Sequence, residues 1–298
     1  MAVSLLYQRG VLIILLLSLF FAKSYGQSIS KYAVSGSPGT YTLISGATIP
    51  TGSGTGENRT FAGIPIGFDF WYMGRRYTTV SASMKGWFTF GSTINGVEAT
   101  NNLAAGGTRP LVAPLWDNIA RIPGILTIIA SGTFSYSSAG APGSRRLTLQ
   151  WNLMRWDLNA PTTLTIGGDV ISLQAILYEG SGNIEFIYKP ESQAVNNGSA
   201  SAGITAAGTG SGNYISLSSI ANTSASPPYS TTSETSTINT KPATVRSILF
   251  TPEKANAPTN LNFTEVGTSA IRLNWIDNSA DELGFAIYRS TDNINFTY

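Results

Sequence analysis

An all-β chain built as one large β-sandwich is what residues 27–252 predict, and three observations carry that prediction. Apolar and polar side chains alternate with the two-residue period of a half-buried strand in eight short segments. Gly, Ser, Thr and Asn punctuate the chain between those segments. No stretch sustains a helical period for more than about two turns.

The elements follow in chain order. Residues 1–26 read as a secretory leader: Arg9 supplies the positive start, Val11 to Ala22 is apolar apart from Ser18, and Ser24-Tyr25-Gly26 offers small residues for cleavage before Gln27. A stretch of twelve residues falls short of the roughly 20 that span a bilayer. Strands are then expected at Thr40 to Ile44, Ile66 to Tyr72, Thr78 to Ala82, Gly86 to Phe90, Leu147 to Leu153, Ile171 to Tyr178, Asn183 to Tyr188 and Val245 to Phe250. In Leu147-Thr148-Leu149-Gln150-Trp151-Asn152-Leu153 the apolar residues all share one phase. Glu179-Gly180-Ser181-Gly182 joins two of these strands, and its glycines suit the positive φ angles of a tight hairpin. Between Glu191 and Lys241 the composition shifts to small polar residues, which predicts long surface loops around a short strand at Tyr214 to Leu217. Residues 253–258, within Thr251-Pro252-Glu253-Lys254-Ala255-Asn256-Ala257-Pro258, have the composition of an interdomain linker.

Composition excludes more chemistry than it suggests. The 298 residues hold no Cys and no His, and 11% are charged where about 25% is usual. A Ser-His-Asp triad, a Cys-His dyad, a histidine zinc site and disulfides are all unavailable. Lys+Arg total 18 against 16 Asp+Glu, and Arg9 and Lys23 leave with the leader, so the remainder is neutral and no basic nucleic-acid surface is expected. No membrane span is expected after leader removal. No metal, cofactor or catalytic residue is assigned: the EF-hand spacing is absent, and no paired-acid motif of the kind glycoside hydrolysis needs is present.

Carboxylates and aromatics are the remaining side chains able to act. Of Asp117, Asp157, Glu179 and Glu185, the hairpin position of Glu179 predicts a solvated acid, and Glu185 is out of phase with Ile184, Phe186 and Tyr188 and points outward. Asp117 follows Pro114-Leu115-Trp116 and caps a turn, or else contacts a ligand or calcium. Trp87 and Trp151 share the phase of apolar neighbours and belong in a core. Trp71 and Trp156 break phase or lie near charges and are expected at the surface, where flat rings stack on sugars. Arg75-Arg76 and Arg145-Arg146 are expected at turn tips, where they suit an anionic glycan. Trp71, Trp156, Asp117, Arg75 and Arg76 are the ligand-binding candidates.

Two resemblances add to this reading. Trp275-Ile276-Asp277-Asn278 and Phe285-Ala286-Ile287-Tyr288-Arg289-Ser290, within residues 259–298, resemble the first half of a fibronectin type III domain. That fold needs seven strands, and three or four are present, so an incomplete, truncated sandwich is expected. The ordered set Ile64 to Phe70, Ser83 to Gly91, Val112 to Asp117, Leu149 to Trp151, Ser172 to Gly180, Ile184 to Tyr188 and Ser201 to Ile204 resembles a nidogen-like domain of extracellular adhesion proteins. Lys85 departs from that pattern, where Asn usually precedes the Gly. The resemblance implies a secreted, noncatalytic protein that binds an extracellular protein or polysaccharide. The alternative it leaves open is the carbohydrate-binding front of a longer secreted hydrolase.

Overall fold

The computed structural model describes residues 28–54, 58–94, 96, 98, 100–121, 132–156, 170–191, 195, 197–266, 270–279, 285 and 287–291. After a 3-10 turn at Ile29–Lys31, fourteen strands run in order through the first unit. They are β1 (Tyr32–Pro38), β2 (Thr60–Tyr72), β3 (Arg75–Ser83), β4 (Trp87–Phe90), β5 (Leu111–Trp116), β6 (Ala120–Arg121) and β7 (Thr133–Ala139). β8 (Arg146–Arg155), β9 (Val170–Tyr178), β10 (Ile184–Pro190), β11 (Ser201–Thr205), β12 (Tyr214–Leu217), β13 (Tyr229–Ser230) and β14 (Arg246–Pro252) follow. A second compact unit within residues 255–287 carries β15 (Thr259–Val266) paired with β16 (Ile271–Ile276). The third strand expected there, at 284–289, falls partly outside the described residues.

Two antiparallel seven-stranded sheets make the first unit an all-β sandwich. One sheet runs β1-β14-β10-β9-β8-β6, with β7 also on β8; the other runs β13-β12-β11-β5-β4-β3-β2. Leu147, Leu149, Trp151, Leu173, Leu177, Phe186, Ile248 and Phe250 of the first sheet share one core with Phe70, Tyr72, Val80, Phe88 and Phe90 of the second. Burying each such side chain contributes about 1.5–3 kcal/mol over leaving it in water. Polar ties cross this core at its few polar atoms: Trp151 Nε1 donates to Ser83 O at 3.0 Å, and Tyr188 Oη donates to Pro114 O at 2.7 Å. A smaller cluster of Trp87, Leu103, Leu111, Trp116 and Tyr214 packs elsewhere on the second sheet.

The structure corrects several local expectations. Residues 40–44 form no strand. They lie against the polar side of the first sheet, where Gln174 Nε2 donates to Thr42 O at 2.8 Å and Gln150 Oε1 accepts from Ile44 N at 3.3 Å. Side-chain amides replace ladder partners there, so alternation survives without pairing. The tract after Glu191 is not loop alone, because Ser201 to Thr205 form a fully buried strand between β12 and β5. Its small residues are what that position requires: a Cβ on Gly203 would lie 1.9 Å from Ile215 O.

β8 changes phase within its length. Leu147, Leu149 and Trp151 point inward, a register shift intervenes at Leu153, whose φ is 53°, and then Met154 and Trp156 point inward. A β-bulge inserts one residue and inverts the alternation beyond it. Leu153, expected on the apolar phase, is therefore only half-buried.

Candidate functional site

Three of the five candidate residues meet at the β2–β3 hairpin. Met73 and Gly74 both take positive φ, 51° and 71°, the conformation that lets a two-residue turn match the twist of its strands. The turn sets Trp71 opposite Arg76 and Tyr72 opposite Arg75. Along β2, Phe68, Phe70 and Tyr72 are buried, so the intervening Asp69 and Trp71 face outward and are half-buried. Arg76 Nη2 sits 2.7 Å from Asp69 Oδ1, so this guanidinium is paired and not a bare turn tip, whereas Arg75 is exposed. Tyr288 closes the group: Trp71 Nε1 donates to its hydroxyl at 3.1 Å, and that hydroxyl donates to Asp69 Oδ2 at 3.2 Å.

A second ion pair borders the same strand. Glu179 is not the solvated acid its turn suggested. It accepts from Arg145 Nε at 2.8 Å, Arg145 N at 3.0 Å and Gly143 N at 2.8 Å, and it forms a salt bridge to Arg145 Nη2 at 2.5 Å. These hydrogen bonds from Arg145 hold its carboxyl below the ordinary glutamate value of 4.5. Arg145 also donates to Gly67 O of β2 at 2.8 Å and lies 5.8 Å from the Phe68 ring centroid. Two hairpin-borne arginines thus flank β2, each with its own carboxylate.

The other two candidates lie inside the molecule. Trp156 is 1% exposed, not at the surface, because the β8 bulge turns it inward. Its Nε1 donates to Asp117 Oδ2 at 2.8 Å. Asp117 is itself buried and also accepts from Ser199 N at 2.7 Å, Ser199 Oγ at 3.0 Å and Asn118 N at 2.7 Å. A buried carboxylate with four donors ties the end of β5 to the segment before β11. Gly198 makes this possible, since a Cβ there would stand 3.0 Å from Trp156 Cε2.

Sequence reasoning noted the residue beside Asp117 as a departure from the nidogen-like pattern but gave it no place in the site. Lys85, in the turn between β3 and β4, is 1% exposed, and its Nζ donates to Asn118 Oδ1 at 2.6 Å and to Ile119 O at 3.1 Å. A lysine as the one charged residue in the run from Val80 to Phe90 was the signal that could have found it. Trp116, a further possible stacking ring, is buried and donates to Glu98 O at 2.8 Å. Glu185 faces outward as expected and takes the hydroxyls of Tyr178 and Ser247. Asp157 lies outside the described residues. Among the described residues no group of three or more acids could hold a metal ion, and no helix is long and apolar enough to cross a membrane.

Comparison with known proteins places this geometry in context. A family model described as NIDO related matches residues 31–252. No curated protein matches the chain, and neither does any solved structure.

Proposed function

Because the chain belongs to the NIDO-related family, whose model covers the whole first sandwich, we propose that it is a secreted, noncatalytic protein that binds an extracellular protein or polysaccharide. The observation that supports this reading most is the group of Trp71, Arg76 and Asp69 on the β2–β3 hairpin, with the Tyr288 hydroxyl bonded to it. A rigid two-residue turn presents a half-exposed indole beside a guanidinium and a carboxylate, which together offer a flat apolar face and directed hydrogen bonds. Such a surface recognises without reacting. The leader at 1–26 carries the export reading, and residues 259–298 are assigned to a fibronectin type III-like module on their sequence pattern.

Binding of the full chain to arrayed glycans and matrix proteins tests this. Trp71→Ala and Arg76→Ala are expected to weaken binding about tenfold each, equivalent to about 1.4 kcal/mol, with folding intact. Binding that is undiminished in both variants, or absent from the wild type, refutes the site.

A second reading, the carbohydrate-binding front of a longer secreted enzyme, is favoured by the half-exposed ring of Trp71 beside polar groups, the arrangement that stacks on a sugar face. Sequencing the reading frame beyond Tyr298 separates the two: a hydrolase module supports this second reading, and further sandwich repeats support the first.

A further inference from the structure

The buried Lys85 and its neighbour Asn118 stand in a relation that packing alone does not require. β4 begins just after Lys85 and β5 ends just before Asn118, and these two strands are paired antiparallel, so both turns lie at one end of the sheet. Backbone bonds clamp the turns together: Asp117 N donates to Lys85 O at 3.2 Å, and Leu115 N donates to Gly86 O at 3.2 Å. Gly86 permits this approach, since a Cβ there would lie 1.9 Å from Leu115 O. Within the clamp, Lys85 Nζ is 2.6 Å from Asn118 Oδ1, which places the amine within about 4 Å of the carboxamide carbon.

We propose that Lys85 and Asn118 condense into an intramolecular amide that staples β4 to β5. The Nζ lone pair attacks Asn118 Cγ and forms a C–N bond, and the tetrahedral intermediate collapses as the Cγ–Nδ2 bond breaks. The lysine ammonium sheds one proton before attack and a second as the intermediate collapses; Nδ2 leaves with the second as ammonia and takes up the first in solution, so a lysine ammonium and a carboxamide become one secondary amide and one ammonium ion. No oxidant, metal or cofactor enters the balance.

Three features of the site favour the step. Lys85 is stripped of water, one of the routes by which a lysine amine becomes a nucleophile. The reacting groups are held by the fold at close to attack distance, which removes the entropy of bringing them together. Asn118 is exposed, which gives ammonia an exit to solvent. In a chain without cysteine such a bond is a covalent cross-link its residues can still make.

Mass spectrometry of the denatured full chain tests the proposal. The wild type is expected to weigh one ammonia less than its sequence, and proteolysis should yield a branched peptide joining Lys85 to Asn118, with trypsin failing to cut after Lys85. Lys85→Met and Asn118→Ala should each restore the full mass. A wild-type mass that matches the sequence overturns the proposal. So does an ammonia loss that maps elsewhere, such as cyclisation of Gln27 or a succinimide at Asn118. The wild-type measurement decides the matter even if neither variant folds.

Discussion

Replacing Asp117 by alanine should be among the most damaging single changes available in this protein. The carboxylate is buried and takes four hydrogen bonds, from Trp156 Nε1, Ser199 N, Ser199 Oγ and Asn118 N. Deleting it leaves Trp156 Nε1 and Ser199 N buried or half-buried without their acceptor, at about 1–3 kcal/mol for each orphaned group. Asn118 N and the Ser199 hydroxyl lie nearer solvent and find water, so they add little. The expected loss is about 2–6 kcal/mol, or roughly 4–24 °C in melting temperature for a domain of this size. Urea unfolding of the full chain, followed by tryptophan fluorescence, measures it. Trp156→Phe removes the Nε1 donor together with part of a buried ring and should cost about 2–4 kcal/mol. The double variant should lose about 1–2 kcal/mol less than the sum of the single changes, because the shared bond is counted twice in that sum. An alanine variant within 1 kcal/mol of wild type, or strictly additive losses, would refute the claim that Asp117 holds this end of the sandwich through Trp156.

Other expectations follow from the same contacts. Glu179 has a folded pKa below its ordinary 4.5, so its contribution is present above that value and is lost as pH falls below it. Glu179→Gln should therefore lower the urea midpoint near neutrality, with the gap to wild type closing as the solution is acidified below pH 4.5; a gap unchanged in strong acid contradicts the ion pair. Gly86, with φ of 80° and Leu115 O in the way of any Cβ, should lose about 3–5 kcal/mol on conversion to alanine. Gly143, with φ of 85° and open space, should lose only about 1–2 kcal/mol, and equal unfolding shifts would undo the steric argument. Gln174→Leu removes the donor to Thr42 O, so limited proteolysis should cut within residues 39–49 roughly tenfold faster, for a local loss of about 1–2 kcal/mol; an unaltered cleavage rate would show that the amide does not anchor this segment.

The candidate site was partly legible. Trp71 could be named because two-residue alternation tells inward from outward wherever a strand is regular, and β2 is regular from Phe68 to Tyr72; Arg75 and Arg76 could be named because they fall at a turn. Trp156 was misplaced by the same rule, because one inserted residue at Leu153 inverts the alternation and nothing in Trp151-Asn152-Leu153-Met154 announces it. Tyr288 and the Arg145–Glu179 pair were not read as neighbours of Trp71, since they come from segments far apart from it in the chain.

What the sequence determined by itself is what depends on local periodicity and on counting. Alternation and turn residues specified an all-β chain and most strand centres, and the absence of Cys and His removed whole classes of chemistry, because both are properties of the chain before it folds. Tertiary structure decided which polar groups are buried together. Lys85, Asp117, Asn118, Trp156 and Ser199 come from four separate stretches, and only the closing of two sheets over one core brings a buried amine and a buried carboxylate beside the carboxamide of an exposed asparagine. Burial of polar groups is tolerated where partners arrive from elsewhere. Those partners are a property of the packed fold and not of any segment within it.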